Sequence, residues 1–265
     1  MQATTHDVLK LIDKEAPFDF AEDWDNSGLQ SGNMSWPVNK ILIALDPSID
    51  VMKEAARVNA DLVLTHHPLF IKSPNSIDFS HMPGNVIAIS AREKISIISA
   101  HTNLDKAKNG LNDYFAEIIG LHNILPLSDD DSNSCFGRKG LLEKAISLKE
   151  FAMNIKENLN LKYLRIIGDN KLKINSATVI TGSGGSLIEN FFQSGTDVFI
   201  TGDVKYHEAR SVEEKNLGMI DVGHFGSESI AIELLAEKLI NAKNEEDYGF
   251  EIFKYENEID PFNIV

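Results

Sequence analysis

The chain has 265 residues, 43% hydrophobic and 25% charged, enough for one large domain or two packed halves, which excludes a short disulfide scaffold or a disordered tail. Forty acidic against 25 basic residues give a formal charge of −15, which repels phosphate backbones and anionic lipid and argues against non-specific nucleic-acid binding. The single cysteine, Cys135, cannot close an internal disulfide, and with no basic, apolar leader the expected compartment is the reducing cytoplasm. Apolar runs such as 41–45 and 95–100 have the length of core strands, well below the roughly 20 residues that span a bilayer, so no membrane association is expected.

In chain order, strands are expected at about 40–45, 61–65, 86–90 and 95–99, and again at about 163–167, 177–181, 197–201 and 219–222. Helices are expected over 51–58, 111–119 and 230–239, where apolar residues recur three or four apart. Strands alternating with amphipathic stretches define the fold class as α/β, built from βαβ units around a buried, mostly parallel sheet. Between the two strand series lies "PLSDDDSNSCFGRKG" (126–140), whose aspartate triplet and small polar residues read as a solvated linker and a domain boundary.

The two series also resemble each other. A slide of 136 positions lays "ILIALDPSIDVMKEAARVNADLVLT" (41–65) on "ATVITGSGGSLIENFFQSGTDVFIT" (177–201), so that Asp61 meets Asp197 and Thr65 meets Thr201. A slide of 123 lays "AHTNLD" (100–105) on "GHFGSE" (223–228), bringing His101 onto His224 and Asp105 onto Glu228. The expectation is two similar, duplicated α/β halves, 1–126 and 127–265.

In open α/β sheets, ligands bind beyond the carboxyl ends of the strands. Five of the eight histidines fall at such ends: His66, His67, His101, His207 and His224. In "DLVLTHHPLF" the proline at 68 keeps His67 extended, so the adjacent imidazoles point apart and suit two different ions better than one. His101 with Asp105, and His224 with Glu228, are imidazole–carboxylate pairs four residues apart, a spacing that puts both on one face of a helix. Two carboxylates against two divalent ions leave a net positive charge, which would acidify bound water and attract an anionic substrate. Too few protein ligands to saturate two ions leave open positions, the mark of a catalytic site.

Taken together, "WDNSGLQ" (24–30), "THHPLF" (65–70), "AHTNLD" (100–105), "TGDVKYHEA" (201–209) and "DVGHFGSE" (221–228) resemble, in order, the motifs of the Nif-three-like or YbgI-like dinuclear metal-centre family, the GTP cyclohydrolase I type 2 homologues. The resemblance implies two divalent metal ions per chain, held by His66, His67, Asp105, His224 and Glu228 in the cleft between the halves, with Glu228 bridging. It also implies a toroidal homohexamer without the additional domain that longer relatives carry between the halves. Zn, Fe, Mn and Co all suit such mixed ligands. His101 then orients ligands or moves protons, and His207 is a second acid–base candidate. The glycine-rich "TGSGGS" (181–186) reads equally as a phosphate-binding turn or a plain tight turn, and Trp24 as a site-lining ring or a packing residue. The expected activity is a metal-dependent hydrolase acting on a small anionic substrate such as a nucleotide, by resemblance opening the guanine ring of GTP with release of formate. The contrasting expectation is a non-catalytic, metal-binding scaffold or regulator that contacts transcription-related partners.

Overall fold

The computed structural model describes residues 1–128 and 135–264. The chain forms two compact units, Met1–Ala107 with Ala231–Ile259, and Lys108–Ile230 with Asp260–Val265. The aspartate triplet at 129–131 lies outside the described residues.

The first unit begins with β1 (Ala3–Thr4) and α1 (Thr5–Glu15). The helix starts where it does because Thr4 and Asp7 cap each other's backbone N–H reciprocally. Next come β2 (Gly28–Ser31), β3 (Pro37–Val38), β4 (Lys40–Ala44), α2 (Ile49–Arg57) and β5 (Leu62–Thr65). Ser48 accepts from Val51 N–H to open α2, and Val51, Met52 and Ala55 form its buried stripe. There follow α3 (Gly84–Glu93), β6 (Ser96–Ser99) and α4 (Thr102–Lys106). The apolar run at 86–90, which reads as a strand in the sequence, is thus helical. Val86, Ile89 and Ser90 are its buried residues, at helical spacing, and β5 and β6 pair in parallel, which requires a crossover between them.

The second unit contains α5 (Leu111–Ile118), β7 (His122–Pro126), β8 (Arg138–Ser147), α6 (Leu148–Asn158), β9 (Arg165–Ile167) and β10 (Lys173–Val179). It continues with α7 (Ile188–Ser194), β11 (Val198–Thr201), α8 (Tyr206–Glu214), β12 (Gly218–Asp221) and α9 (His224–Glu228). β7 and β8 are antiparallel neighbours, so the 126–140 stretch joins two strands of one sheet. Along β11 the side chains alternate: Val198 and Ile200 pack with Phe151 and Ile155 of α6, whereas Phe199 packs with Phe191 of α7 and Val212 of α8.

After α9 the chain rejoins the first unit as α10 (Ala231–Glu245) and β13 (Glu251–Lys254). The first sheet runs β13-β4-β5-β6-β2 and the second β7-β8-β10-β11-β12-β9. Both are mixed sheets. β4-β5-β6 and β10-β11-β12 are parallel triplets, and each carries an antiparallel strand, β2 or β9, beside its third member. The second sheet adds antiparallel β8 and β7, and β8 is only partly buried, as one-sided strands are.

The two units therefore repeat one arrangement at the registers found in the sequence. Asp61 shows it in detail: its Oδ2 accepts the N–H groups of Asn39 (2.7 Å) and Lys40 (3.0 Å), while Oδ2 of Asp197 accepts those of Asn175 (2.8 Å) and Ser176 (3.0 Å). Each carboxylate ties the start of the second parallel strand to the start of the first. Asp61→Ala or Asp197→Ala is expected to cost about 1–3 kcal/mol, the penalty for stranding such donors, with a smaller loss for Asn, read from urea unfolding midpoints. Arg138, 4% exposed, grips Asp113 in a bidentate pair (2.7 and 2.8 Å) and donates to the carbonyls of Cys135 and Gly137. Asp113→Ala removes this bidentate carboxylate from a buried guanidinium and should lower the unfolding midpoint in the same assay.

Candidate metal centre

Backbone ladders that run past the strand ends hold the first unit's histidines. His67 N–H donates to Leu45 O (2.9 Å) and Ala100 N–H to Thr65 O (2.9 Å), while the hydroxyls of Ser99 and Thr65 donate to the carbonyls of His66 and His67. His66 is fully buried and the His67 side chain 20% exposed, as expected of neighbours on an extended chain. Their rings nevertheless converge to 5.1 Å between centroids, and His101 lies 5.2 Å from the first and 5.6 Å from the second. One ligand nitrogen from each of His66, His67 and His101 lies within 4.8 Å of the other two, so this trio could hold a metal ion.

Each imidazole is oriented through Nδ1. For His66 the partner is Ala100 O (2.9 Å), for His67 Asp46 Oδ1 (2.8 Å), and for His101 Asp25 Oδ1 (2.7 Å). An acceptor on Nδ1 selects the tautomer with its lone pair on Nε2, the ligating form. Asp105, 6% exposed on α4, faces His66, with 3.8 Å between Oδ1 and Nε2. The His-x3-acid spacing therefore delivers the carboxylate to the histidine of the neighbouring strand.

Further carboxylates support these side chains. Burial works against the Asp25 carboxylate, but the hydrogen bond and charge of His101, with the hydroxyls of Thr102 and Ser27, hold its carboxyl well below the usual range. Glu258 accepts the N–H groups of Leu45 (2.7 Å) and Asp46 (2.8 Å), fixing the loop that carries the His67 partner. Burial pushes the Glu258 carboxyl up, against the pull of those two donors.

The second unit presents a related arrangement by itself. His224 and Glu228 face each other one helical turn apart on α9, with 2.9 Å between Nε2 and Oε2, and Nδ1 of His224 meets Asp203 Oδ2 at 2.8 Å. Asp221 accepts the N–H groups of Gly223 (2.9 Å) and Val204 (3.3 Å) and pairs with Arg165, which ties the loop bearing Asp203 to the start of α9. Two glycines make room. Gly182, at φ +63°, faces the Glu228 carboxylate so closely that a Cβ would collide with Oε1, and a Cβ at Gly202 would lie 2.7 Å from His224 N.

The donor set suits a hard or borderline divalent cation. Each unit by itself joins imidazole to a buried carboxylate that gains from a nearby positive charge, Asp105 (6% exposed) in the first and Glu228 (3%) in the second. The "TGSGGS" loop is a packing turn: Gly182 N–H donates to Ser227 Oγ and Gly184 N–H to Thr201 Oγ1, both at 2.9 Å. His207 is exposed in the first turn of α8 with its ring 5.4 Å from Tyr206, and among the described residues no group able to hold a metal includes it. Trp24 is 55% exposed, its ring 6.1 Å from His101, so packing does not account for it. Sequence reasoning did not single out Asp46, Asp203 or Glu258. The first two carry a signal, an acidic residue just past a core strand, whereas Glu258 reaches its loop from the far end of the chain. No helix among the described residues is long and apolar enough to cross a membrane.

Comparison with known proteins agrees with this layout. A protein named GTP cyclohydrolase 1 type 2 homolog from Clostridium acetobutylicum is 35% identical over 265 residues, covering 99% of both chains. The crystal structure of hypothetical protein SA1388 from Staphylococcus aureus superposes with a TM-score of 0.95 at 27% identity, covering 100% of both chains. That of a Bacillus cereus protein related to NIF3 superposes at 0.93 with 22% identity over 99% of both, a likeness of fold. The family model described as Duf34/NIF3 (NGG1p interacting factor 3) matches residues 3–261, and with ligand-type residues at the ends of both parallel triplets the chain belongs to that family.

Proposed function

We propose that the protein is a metal-dependent hydrolase acting on a small anionic, nucleotide-like substrate, with His66, His67, Asp105, His224 and Glu228 as ligands of two divalent ions. One observation carries the reading: His66, His67, His101 and His224 each engage an oxygen acceptor through Nδ1, which directs Nε2 to a common chemical purpose. Histidines with a purely structural role have no need of an Nδ1 anchor four times over. Divalent ions held there supply Lewis acidity and a local positive potential, which offsets the chain's −15 for an anionic substrate.

The chain's own residues do the remaining work. Asp25 holds His101 through Nδ1, which fixes the ring and leaves Nε2 as the atom that would hold or move a proton. His207, exposed on α8, is a second acid–base candidate that acts only if substrate brings it into contact. The curated relatives' name, GTP cyclohydrolase 1 type 2 homolog, makes GTP the first substrate to try, with formate as the product of ring opening. Assembly as a homohexamer in the cytoplasm belongs to the same proposal.

Protein loaded with Zn, Mn, Fe or Co and freed of excess metal should retain about two divalent ions per chain by elemental analysis. Far less than that after every metal ends the dinuclear reading. Asp46→Asn and Asp203→Asn leave the ligands in place but loosen their orientation, and should weaken metal affinity by about 10–100-fold in a competitive chelator titration. Metal-loaded protein incubated with GTP, other nucleotides and phosphoesters should release formate or phosphate, and Glu228→Gln should abolish release while circular dichroism stays unchanged. If no substrate yields product, the metal-binding scaffold replaces the hydrolase.

A further inference from the structure

Trp24 is one of two tryptophans in the chain, and it is 55% exposed. An indole that far in water forgoes most of the burial energy that usually retains it. It is not on a loose loop. Glu22 N–H donates to Thr102 Oγ1 (3.0 Å), the Glu22 carboxylate pairs with Lys106 Nζ (2.9 Å), and Asp25 N–H closes a turn onto Glu22 O (2.8 Å). On the other side, Asp25 takes Thr102 Oγ1 (2.6 Å), Ser27 Oγ (2.8 Å) and His101 Nδ1, and Asn26 Nδ2 donates to Phe70 O (2.8 Å). The residues on both sides of Trp24 are therefore pinned to the elements that carry His101 and Asp105. The indole meets the His101 imidazole at 6.1 Å with an interplanar angle of 77°, an edge contact that leaves most of the ring system available.

A rigidly held aromatic face costs little entropy when a ligand covers it, and it accepts any flat π-system of its own size. We propose that Trp24 is the stacking platform for the base of the substrate, a purine-sized heteroaromatic ring laid beside the His66–His67–His101 cluster. This deepens the nucleotide reading above and rests on it. Trp24 is then a specificity residue: it selects the planar ring, while the reacting groups lie on the neighbouring strand ends.

Trp36 is partly buried, and replacing it with phenylalanine leaves Trp24 as the sole indole emitter. In full-length, metal-loaded Trp36→Phe, guanosine monophosphate should quench the emission saturably and ribose 5-phosphate should not. Isothermal titration of the otherwise unaltered chain checks the same affinities without the Trp36 change. Trp24→Ala should weaken guanosine monophosphate by about 5- to 150-fold, the loss of one base stack, and leave ribose 5-phosphate binding as it was. Trp24→Phe should recover most of the affinity. Equal binding by wild type and Trp24→Ala overturns the proposal, and so does an equal loss for base and sugar ligands, which would mean a collapsed turn or a sugar-stacking face. A change of oligomeric state in Trp24→Ala with unchanged nucleotide affinity would assign the indole to a subunit contact instead. Trp24-dependent binding without any formate or phosphate release sustains the stacking site and removes the hydrolase. Turnover insensitive to Trp24→Ala does the reverse.

Discussion

The parallel triplets β4-β5-β6 and β10-β11-β12 are buried on both faces where their strands pair in parallel, and this constraint governs where chemistry can occur. A polar side chain within those strands would lose its water without a partner, so polar groups collect where the strands end. There the backbone ladder still holds the chain for one or two residues past the strand. His66, His67, His101 and His224 all follow such strand ends, with side chains that range from fully buried at His66 to 37% exposed at His224.

Orientation comes from a second ring of acceptors. Ala100 O, Asp46, Asp25 and Asp203 orient four imidazoles, and Glu258, Thr102, Ser27 and Asp221 hold those acceptors or their loops. Most of these supports are carboxylates. Part of the chain's acidic excess is thus gathered around the candidate metal centre, where a bound cation would reverse the local sign of the potential. The outer surface carries the rest and keeps the protein from binding anions indiscriminately.

Close approach is the other requirement. Glu228 sits against Gly182, and the start of α9 against Gly202, where any Cβ would displace the carboxylate or the helix backbone. The glycine-rich loop of the second unit resembles a phosphate cradle by composition but serves a packing purpose, because Ser227 and Thr201 take up its N–H groups. The equivalent place in the first unit holds Asp46, which grips His67. One scaffold position has become a ligand support in one unit and a space-maker in the other.

Much of this was legible without coordinates, for a physical reason. Hydrophobic periodicity and the slides of 136 and 123 report on burial, and burial decides where these strands and helices repeat, as the matching roles of Asp61 and Asp197 attest. Histidines and acids just past such strands are visible in the sequence because the chain presents them locally. The run at 86–90 was not legible, since five apolar residues suit a buried strand or a helix face until the parallel pairing of β5 with β6 demands a crossover. Nor could spacing reveal that Asp105 turns to His66, that Glu258 clamps the 45–46 loop from more than 200 positions away, or that Trp24 stands in solvent. The sequence by itself determined the α/β class, the internal repeat and which histidines and acids stand just past the core strands. Partner choice, tautomer and exposure were decided only by tertiary structure, because each depends on groups brought together by folding and not by proximity along the chain.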